Sequence, residues 1–271
     1  MINLFKANIF RLFHTKATYI ILIITVSIYL FSFAIMNAVE SGRVDENSVV
    51  TVSFSEDYES SSLNPYEMLT DMMSSGFVIL MIGIFSCIYT DEERKSGFLK
   101  NLPRPSRKKA GIFITKVFVV AFYTLLLVAA LVLAAFLLSV KYGSVLEYAP
   151  SLYFEYMFKQ VLLFTTFGTA MMVIFEIFRK GVVAIILTFL TSMALANCVN
   201  LFEAFLVYKN IVSEKCMDLI AYSQYMITTR SAALTVGSDN MVHGSTWVVG
   251  LISVLIYVII GSLIYKKRDV I

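Results

Sequence analysis

Residues 17–39 read ATYIILIITVSIYLFSFAIMNAV and carry no charge. A helix of about 20 apolar residues crosses the roughly 30 Å hydrocarbon core of a bilayer. Lys6, Arg11 and Lys16 precede this stretch, as basic residues precede the apolar core of a signal peptide. However, its apolar core is longer than the roughly 7–15 residues of a signal sequence, and no clear Ala-x-Ala cleavage site follows. We therefore interpret residues 17–39 as a retained membrane span.

The composition of the whole chain is that of a membrane protein. Of its 271 residues, 58% are hydrophobic and 15% are charged, and the mean hydropathy is +0.78. Soluble domains are roughly 45–50% apolar and about 25% charged. The composition therefore excludes a disordered chain, a collagen and an ordinary soluble enzyme, and it favours a protein with several spans.

Five further apolar stretches complete a prediction of one all-α integral membrane domain over residues 1–271, with six transmembrane helices. The predicted extracellular loops are 40–74 and 203–246. The connection between the fourth and fifth spans is only Arg179, Lys180 and Gly181, which predicts an antiparallel helix pair. The predicted spans are about 17–39, 75–90, 115–140, 156–178, 182–202 and 247–265.

Basic residues concentrate on one side of this topology. With the N-terminus in the cytoplasm, 16 of the 22 Lys and Arg residues lie inside, whereas 14 of the 19 Asp and Glu residues lie outside. Basic residues orient membrane helices and favour the cytoplasmic side, where anionic lipid also attracts them. The bias predicts a multi-pass protein in contact with membrane lipid, with both termini in the cytoplasm.

The N-terminal residues 2–14 have a helical pattern of their own. Lys6 and Arg11 lie off an apolar stripe formed by Ile2, Phe5, Ile9 and Leu12. This pattern predicts an amphipathic helix at the inner membrane interface; a simple charged anchor is the alternative.

The two long outer segments also contain helix signals. Asn64 suits a helix N-cap, Pro65 the first helical position and Glu67 the third, so a helix is predicted to start here and to run directly into the second span. Residues 203–246 mix apolar and charged residues, which predicts short extracellular interfacial or re-entrant helices before the sixth span.

Motifs for catalysis or metal binding are missing from the sequence. Cys87, Cys198 and Cys216 form no Cys-x-x-Cys pair, and the two histidines lie far apart. We therefore expect no catalytic residue and no metal site, which disfavours a membrane-embedded enzyme. The chain has no Gly-x-x-x-x-Gly-Lys-Ser/Thr loop, so it should not bind a nucleotide as a P-loop ATPase does. No bound cofactor and no nucleic-acid partner is expected.

The segment between the second and third predicted spans, residues 91–110, reads DEERKSGFLKNLPRPSRKKA. Its acidic start is favourable at a helix N-terminus, and Gly97 permits a turn or a close approach. Phe98, Leu99 and Leu102 form an apolar patch, after which the prolines stop any helix. This pattern indicates a docking element at the inner face. The alternative is a solvated turn whose basic residues set the topology.

This loop resembles the signature of type-2 ABC exporter permeases. The resemblance rests on one run, Glu93-x-x-x-Gly97-Phe-Leu-x-x-Leu102-x-x-Pro105-Ser106-Arg107, with Lys116 entering the next span. Pro103 is an extra proline, and Phe98 stands where the family often has a small β-branched residue. The order of six spans, an N-terminal interfacial helix and a larger last outer loop extends the resemblance over the whole chain.

The resemblance implies partners and roles. Members of the family pair with a second permease, identical or related, and with two cytoplasmic P-loop ATPase subunits, which hold ATP and Mg. The loop is the coupling helix that seats in a groove of the ATPase. Arg107 and Lys116 are implied to orient the loop at the membrane surface. The residues implied to contact the ATPase are Glu93, Gly97, Phe98, Leu99 and Leu102.

The predicted function is therefore that of a permease in a bacterial plasma membrane, exporting an amphipathic or hydrophobic substrate such as an antimicrobial peptide, a bacteriocin or a drug. No predicted span has a central charge, which argues against a proton-coupled carrier because such carriers use intramembrane ionisable residues. Glu176, near the inner surface, is expected to pair with Arg179 or Lys180.

Two open points remain from the residues alone. An ATP-independent channel or secondary transporter is the alternative function. Asn197 and Asn200 either hydrogen-bond across helices or line the substrate path. The other residues of interest either line a substrate exit or merely pack; they are Met217, Tyr222, Tyr225 and Met226.

Overall fold

A computed structural model describes residues 2–40, 64–96, 109–144, 146, 148–194, 205, 226–239 and 245–267. The described part of the chain is helical apart from one two-stranded antiparallel hairpin, in which Leu234 pairs with Asp239. The elements are α1 (Ile2–His14), α2 (Lys16–Glu40), α3 (Pro65–Ser74), α4 (Phe77–Lys95), α5 (Lys109–Tyr142), α6 (Pro150–Phe178), α7 (Gly181–Phe189), a π-helical turn (Leu190–Ala194), α8 (Ile227–Ala233), β1 (Leu234–Thr235), β2 (Ser238–Asp239) and α9 (Thr246–Lys267).

Four of these helices are long and apolar enough to cross a membrane. The pair α3 and α4 makes a fifth candidate if it is counted as one broken span, and residues 181–192 form a shorter apolar helix. The protein is therefore an all-α membrane protein with four or five candidate spans in its described part. The count of six stays a prediction, because the predicted fifth span runs to residue 202 and the structure describes it only to 194. The four spans are Lys16–Val39, Gly111–Tyr142, Pro150–Phe178 and Thr246–Lys266.

The predicted helix start at Asn64 is confirmed. Its side-chain oxygen accepts a hydrogen bond of 3.1 Å from the backbone N–H of Tyr66, and Pro65 opens α3. The helix does not run straight into the second span, however, because Gly76 takes a left-handed conformation (φ 82°) and α4 leaves at 56° to α3. Helix α4 then continues to Lys95, beyond the predicted end at residue 90.

Helix α1 forms as predicted and turns into α2 at a single residue, Thr15. The hydroxyl of Thr18 donates to the carbonyl oxygen of Leu12 at 2.7 Å, and the hydroxyl of Tyr19 donates to that of Phe13 at 2.9 Å. Carbonyl groups at a helix end need such partners. Helix α1 also packs along α5, where Phe5 meets Phe118 edge to face at a centroid distance of 6.3 Å. Its place at the membrane interface stays a prediction.

The helices α4, α5 and α6 form the interior of the bundle, and they approach one another closely at Gly168. A Cβ atom on Gly168 would lie 2.7 Å from the Ser86 hydroxyl and 2.8 Å from a methyl group of Val120. Small residues at such crossings let membrane helices pack tightly. Helices α2 and α9 are peripheral. Only 22% of the residues in the most apolar part of α2, and 11% of those in the most apolar part of α9, are buried.

Candidate functional site

Four charged side chains from four helices meet in one place and form what we call the charge cluster. Arg11 (α1) donates from Nη2 to Oε2 of Glu93 (α4) at 2.9 Å. The ammonium nitrogen of Lys116 (α5) lies 3.3 Å from the same Glu93 oxygen and 3.3 Å from Oε1 of Glu176 (α6). Cations and anions alternate, so the cluster as a whole is neutral.

The charge cluster is removed from solvent. The side chains of Glu93 and Lys116 are 1% and 2% exposed, and those of Arg11 and Glu176 are each 15% exposed. Taking a charge out of water costs several kcal/mol, and only well-placed opposite charges offset that cost. Removal of one member therefore leaves a neighbouring buried charge with fewer opposite charges around it, which makes the four residues interdependent.

Polar and aromatic groups extend the charge cluster on the side of α1. The guanidinium carbon of Arg11 lies 4.1 Å from the ring centroid of Tyr89, a cation–π geometry. The hydroxyl of Tyr89 donates to the backbone carbonyl of Asn8 at 3.3 Å. The Asn8 amide donates to the hydroxyl of Thr115 at 3.2 Å. These contacts fix α1 to the C-terminal end of α4 and the N-terminal part of α5.

Helix α9 joins the charge cluster through Tyr265. Its hydroxyl accepts a hydrogen bond of 3.4 Å from the Lys116 ammonium, which also lies 4.7 Å from its ring centroid. One turn earlier, Gly261 leaves room for the ring of Phe113, which a Cβ atom would overlap. The charge cluster and its neighbours thus connect five helices.

The position of the charge cluster relates it to the predicted coupling loop. Glu93 lies in the last turn of α4, and Lys116 lies two turns into α5. Residues 97–108 connect these two helices and lie outside the described residues. The Glu93–Lys116 pair therefore joins the two ends of the loop at its base.

A second contact joins the end of α4 to the connection between α6 and α7. Arg94 donates from Nη1 to the backbone carbonyl oxygen of Arg179 at 2.6 Å. A Cβ atom on Gly181 would lie 3.1 Å from a carboxylate oxygen of Asp91, so that acid sits at the N-terminus of α7, where a negative charge is favourable. The α4 end that leads into the loop is thereby held on two sides.

Of the residues predicted to act in coupling, the structure describes Glu93 and Lys116. Glu93 points into the protein toward Arg11 and Lys116, so its carboxylate is not at the surface. Lys116 is equally buried. The other predicted members lie outside the described residues; they are Gly97, Phe98, Leu99, Leu102, Pro105, Ser106 and Arg107.

Of the residues assigned to the substrate path, the structure describes Met226, a half-buried residue that directly precedes α8. Its part in a path stays a prediction. The others lie outside the described residues; they are Asn197, Asn200, Met217, Tyr222 and Tyr225.

Sequence reasoning missed two members of the charge cluster. Arg11 lies off the apolar stripe of α1, but Asn8, Arg11 and Thr15 follow one another at helical spacing. That polar stripe was a signal for contact with protein. Glu176 pairs with Lys116 from another helix, a partner that its sequence neighbours Arg179 and Lys180 did not suggest.

Comparison with known proteins supports a transporter. The family model described as "ABC-2 family transporter protein" matches residues 4–195, which is more than half of the chain. The match includes all four residues of the charge cluster and the whole predicted coupling loop. No curated protein matches the chain.

Proposed function

The chain belongs to the ABC-2 family of transporter proteins, and from this premise we propose that it is the permease subunit of an ATP-driven exporter in a bacterial plasma membrane. Its partners are cytoplasmic P-loop ATPase subunits, which bind ATP and Mg, and a second permease, identical or related. The proposed chain has six spans with both termini in the cytoplasm. Its own residues carry the substrate across and hydrolyse nothing.

The observation that carries this proposal is the closed base of the coupling loop. The Glu93–Lys116 pair joins the two loop ends at 3.3 Å, and the same charges reach α1 through Arg11 and α6 through Glu176. A push on residues 97–108 by an ATPase then reaches four helices together. Because the interior of a protein is close-packed, such a displacement moves whole helices.

The burial of Glu93 assigns it a positioning role within this proposal. A carboxylate with 1% exposure has no surface for an ATPase to contact, and both of its salt-bridge partners belong to the permease. Direct contact is assigned instead to the apolar residues Phe98, Leu99 and Leu102. Glu93 acts by holding the start of the loop against Arg11 and Lys116.

The proposed substrate is amphipathic or hydrophobic, such as an antimicrobial peptide, a bacteriocin or a drug. The chain contains 22 Phe and 13 Met residues, and methionine side chains adapt their shape to varied apolar surfaces. The described core includes Met73, Met171 and Met172. A substrate of this kind finds apolar partners along the bundle without a fixed pattern of charges.

Coupling to an ATPase is tested by purifying the permease together with a candidate ATPase and measuring ATP hydrolysis. We expect Leu99→Asp and Gly97→Trp to abolish co-purification and permease-dependent ATP hydrolysis. The first places a charge in the apolar patch of the loop, and the second places a bulky ring directly before it. Lys95→Met is the matched control, since that side chain is 75% exposed and lies just before the loop. Unchanged hydrolysis in both loop variants would contradict the assignment.

The alternative, an ATP-independent channel or secondary transporter, has a separate readout. Vesicles that contain the permease without any ATPase should show no substrate movement when an ion gradient is imposed. Addition of the ATPase and ATP should restore movement. Transport driven by the ion gradient alone would overturn the proposed function.

A further inference from the structure

Helix α6 carries a second buried polar joint, toward the end opposite Glu176. The side-chain amide of Gln160 donates to the backbone carbonyl of Ser231 at 3.0 Å, and the Ser231 hydroxyl donates to the Gln160 side-chain oxygen at 2.8 Å. The two residues thus make a reciprocal pair between α6 and α8. Both are shielded from solvent, with exposed fractions of 0% and 1%.

Tyr156 adds a third helix to this joint. Its hydroxyl accepts a hydrogen bond of 3.2 Å from the Gln160 amide and donates to the backbone carbonyl of Thr70 in α3 at 3.3 Å. Helix α3 is the bent outer part of the broken span, and its first carbonyl, that of Pro65, accepts from the hydroxyl of Tyr29 at 2.7 Å. We call Gln160, Ser231 and Tyr156 the outer latch.

The segment held by the outer latch is short. It consists of α8 and the β1–β2 hairpin, residues 227–239, in which Ile227 and Leu234 are buried. The turn glycine, Gly237, packs near Leu152 of α6. Since Gln160 and Ser231 are both buried, their hydrogen bonds contribute to the attachment. A buried amide that loses its partner is costly, so the joint favours either a closed or a fully open arrangement.

Helix α6 connects the outer latch to the charge cluster. Gln160 and Glu176 are 16 positions apart, which is about 24 Å along a helix axis. Helix α6 is continuous from Pro150 to Phe178. A shift of Glu176 with the charge cluster therefore moves Gln160 against Ser231, since the intervening helix is a rigid element.

We propose that the outer latch is the closure of the transport path on the extracellular side. Gln160 holds α8 and the hairpin on α6 and α3 in this conformation, and the joint breaks when α6 moves with the coupling loop. The proposal names Gln160 as a positioning residue for transport. It rests on the proposed function for its topology and for its coupling to the ATPase, and thiol labelling with and without nucleotide distinguishes failure of one from failure of the other.

The test measures how fast a thiol beneath the outer latch reacts with a membrane-impermeant maleimide applied to intact cells. Ile227→Cys supplies the thiol, since Ile227 is 8% exposed next to the joint. Cys198 and Cys216 are replaced by serine, and Cys87 is fully buried. The protein with these changes and Ile227→Cys is the parent for the other variants, and the same protein without Ile227→Cys gives the background. We expect slow labelling with the latch intact. Labelling should be about tenfold faster or more in Gln160→Leu, given the usual cost of an unpaired buried group.

Ser231→Ala is the second, milder variant, because it removes one hydrogen bond and leaves the Ser231 carbonyl in place. Its labelling rate should fall between those of the parent and Gln160→Leu. Ser262→Ala is the matched control, since that hydroxyl donates to the Ile259 carbonyl of its own helix at 2.9 Å. Melting temperatures in detergent identify any variant that is simply unfolded. Parent-like labelling in both latch variants would overturn the proposal, as would labelling only in inside-out vesicles.

Nucleotide separates this inference from the proposed function. In the complex with its ATPase, a non-hydrolysable ATP analogue should accelerate labelling of the parent and add little in Gln160→Leu. Faster labelling in Gln160→Leu without any nucleotide effect supports the latch and contradicts ATPase coupling. Permease-dependent ATP hydrolysis together with an unchanged labelling rate in Gln160→Leu supports the proposed function and contradicts the latch.

Discussion

Glu93 and Lys116 form an ion pair of 3.3 Å across the base of the predicted coupling loop, and neither side chain is more than 2% exposed. They belong to different spans, and residues 97–108 connect those spans. The loop is therefore attached to the bundle by a buried electrostatic contact as well as by the two helices that carry it. The attachment of the loop and its proposed coupling function therefore depend on the same atoms.

Replacement of Lys116 by methionine should strongly destabilise the protein. The methionine keeps most of the apolar stem but leaves Glu93 and Glu176 buried without their shared cation. Breaking a buried pair in this way costs about 3–5 kcal/mol. We expect a clear fall in the melting temperature of the purified protein in detergent. Lys95→Met is the control, because an exposed i,i+4 pair contributes about 0.3–0.5 kcal/mol. Equal melting of the two variants would show that the Lys116 charge is not needed.

The contact between Arg11 and Glu93 should appear as a coupling energy in a double-mutant cycle. Arg11→Leu and Glu93→Gln each remove one side of the 2.9 Å pair. Contacting residues show interaction energies of about 0.5–3 kcal/mol, whereas distant pairs add within about 0.5 kcal/mol. We expect the double variant to be less destabilised than the sum of the single variants. The changes in unfolding free energy should be additive for Arg11→Leu combined with Ser231→Ala, because Ser231 lies in α8 and contacts α6 at Gln160, far from the charge cluster. Additive effects of Arg11→Leu and Glu93→Gln would show that these two residues are not energetically coupled.

These contacts explain how far the sequence could predict the structure. The start of α3 was predictable because Asn64, Pro65 and Glu67 are neighbours, and capping depends on local spacing. The site was only half predictable. Glu93 and Lys116 stood out beside the loop motif, but the partner of Arg11 is 82 positions away, and periodicity carries no information about such distances.

The bend after α3 and the contact between Glu176 and Lys116, which the sequence did not predict, have the same physical cause. A straight passage from α3 into the second span was a reasonable expectation, because one glycine, Gly76, does not by itself break a span. The bend accompanies tertiary contacts from Tyr29 and Tyr156 to carbonyl oxygens of α3. Glu176 had two basic neighbours within one turn, yet a buried partner from α5 took part in its pairing. Long-range packing decided both cases.

Replacement of Gly168 by alanine should loosen the interior of the bundle. A new Cβ atom would approach the Ser86 hydroxyl to 2.7 Å and a Val120 methyl group to 2.8 Å, so these side chains or the helices that carry them must shift. Overpacking of this kind typically costs about 1–3 kcal/mol. We expect a lower melting temperature and partial recovery with Val120→Ala, which removes one of the two clashes. Ala34→Leu, on the exposed face of α2, enlarges a side chain without a clash and should melt like the parent. Equal melting of Gly168→Ala and the parent would contradict the tight crossing.

Replacement of Arg179 by glycine should stabilise the connection between α6 and α7. Arg179 ends α6 in a left-handed conformation (φ 56°), and among the described residues it is the sole non-glycine with a positive φ. That conformation costs a residue with a Cβ atom about 1–2 kcal/mol, whereas glycine adopts it freely. The hydrogen bond from Arg94 ends on the Arg179 backbone oxygen, so it survives the substitution. We expect a higher melting temperature for Arg179→Gly than for Arg179→Ala, with Arg179→Asn between them. Glycine and alanine are both uncharged, so a difference in melting temperature between these two variants reflects backbone strain at residue 179 and not the loss of the exposed charge. Identical melting of these two variants would show that the left-handed corner stores no strain.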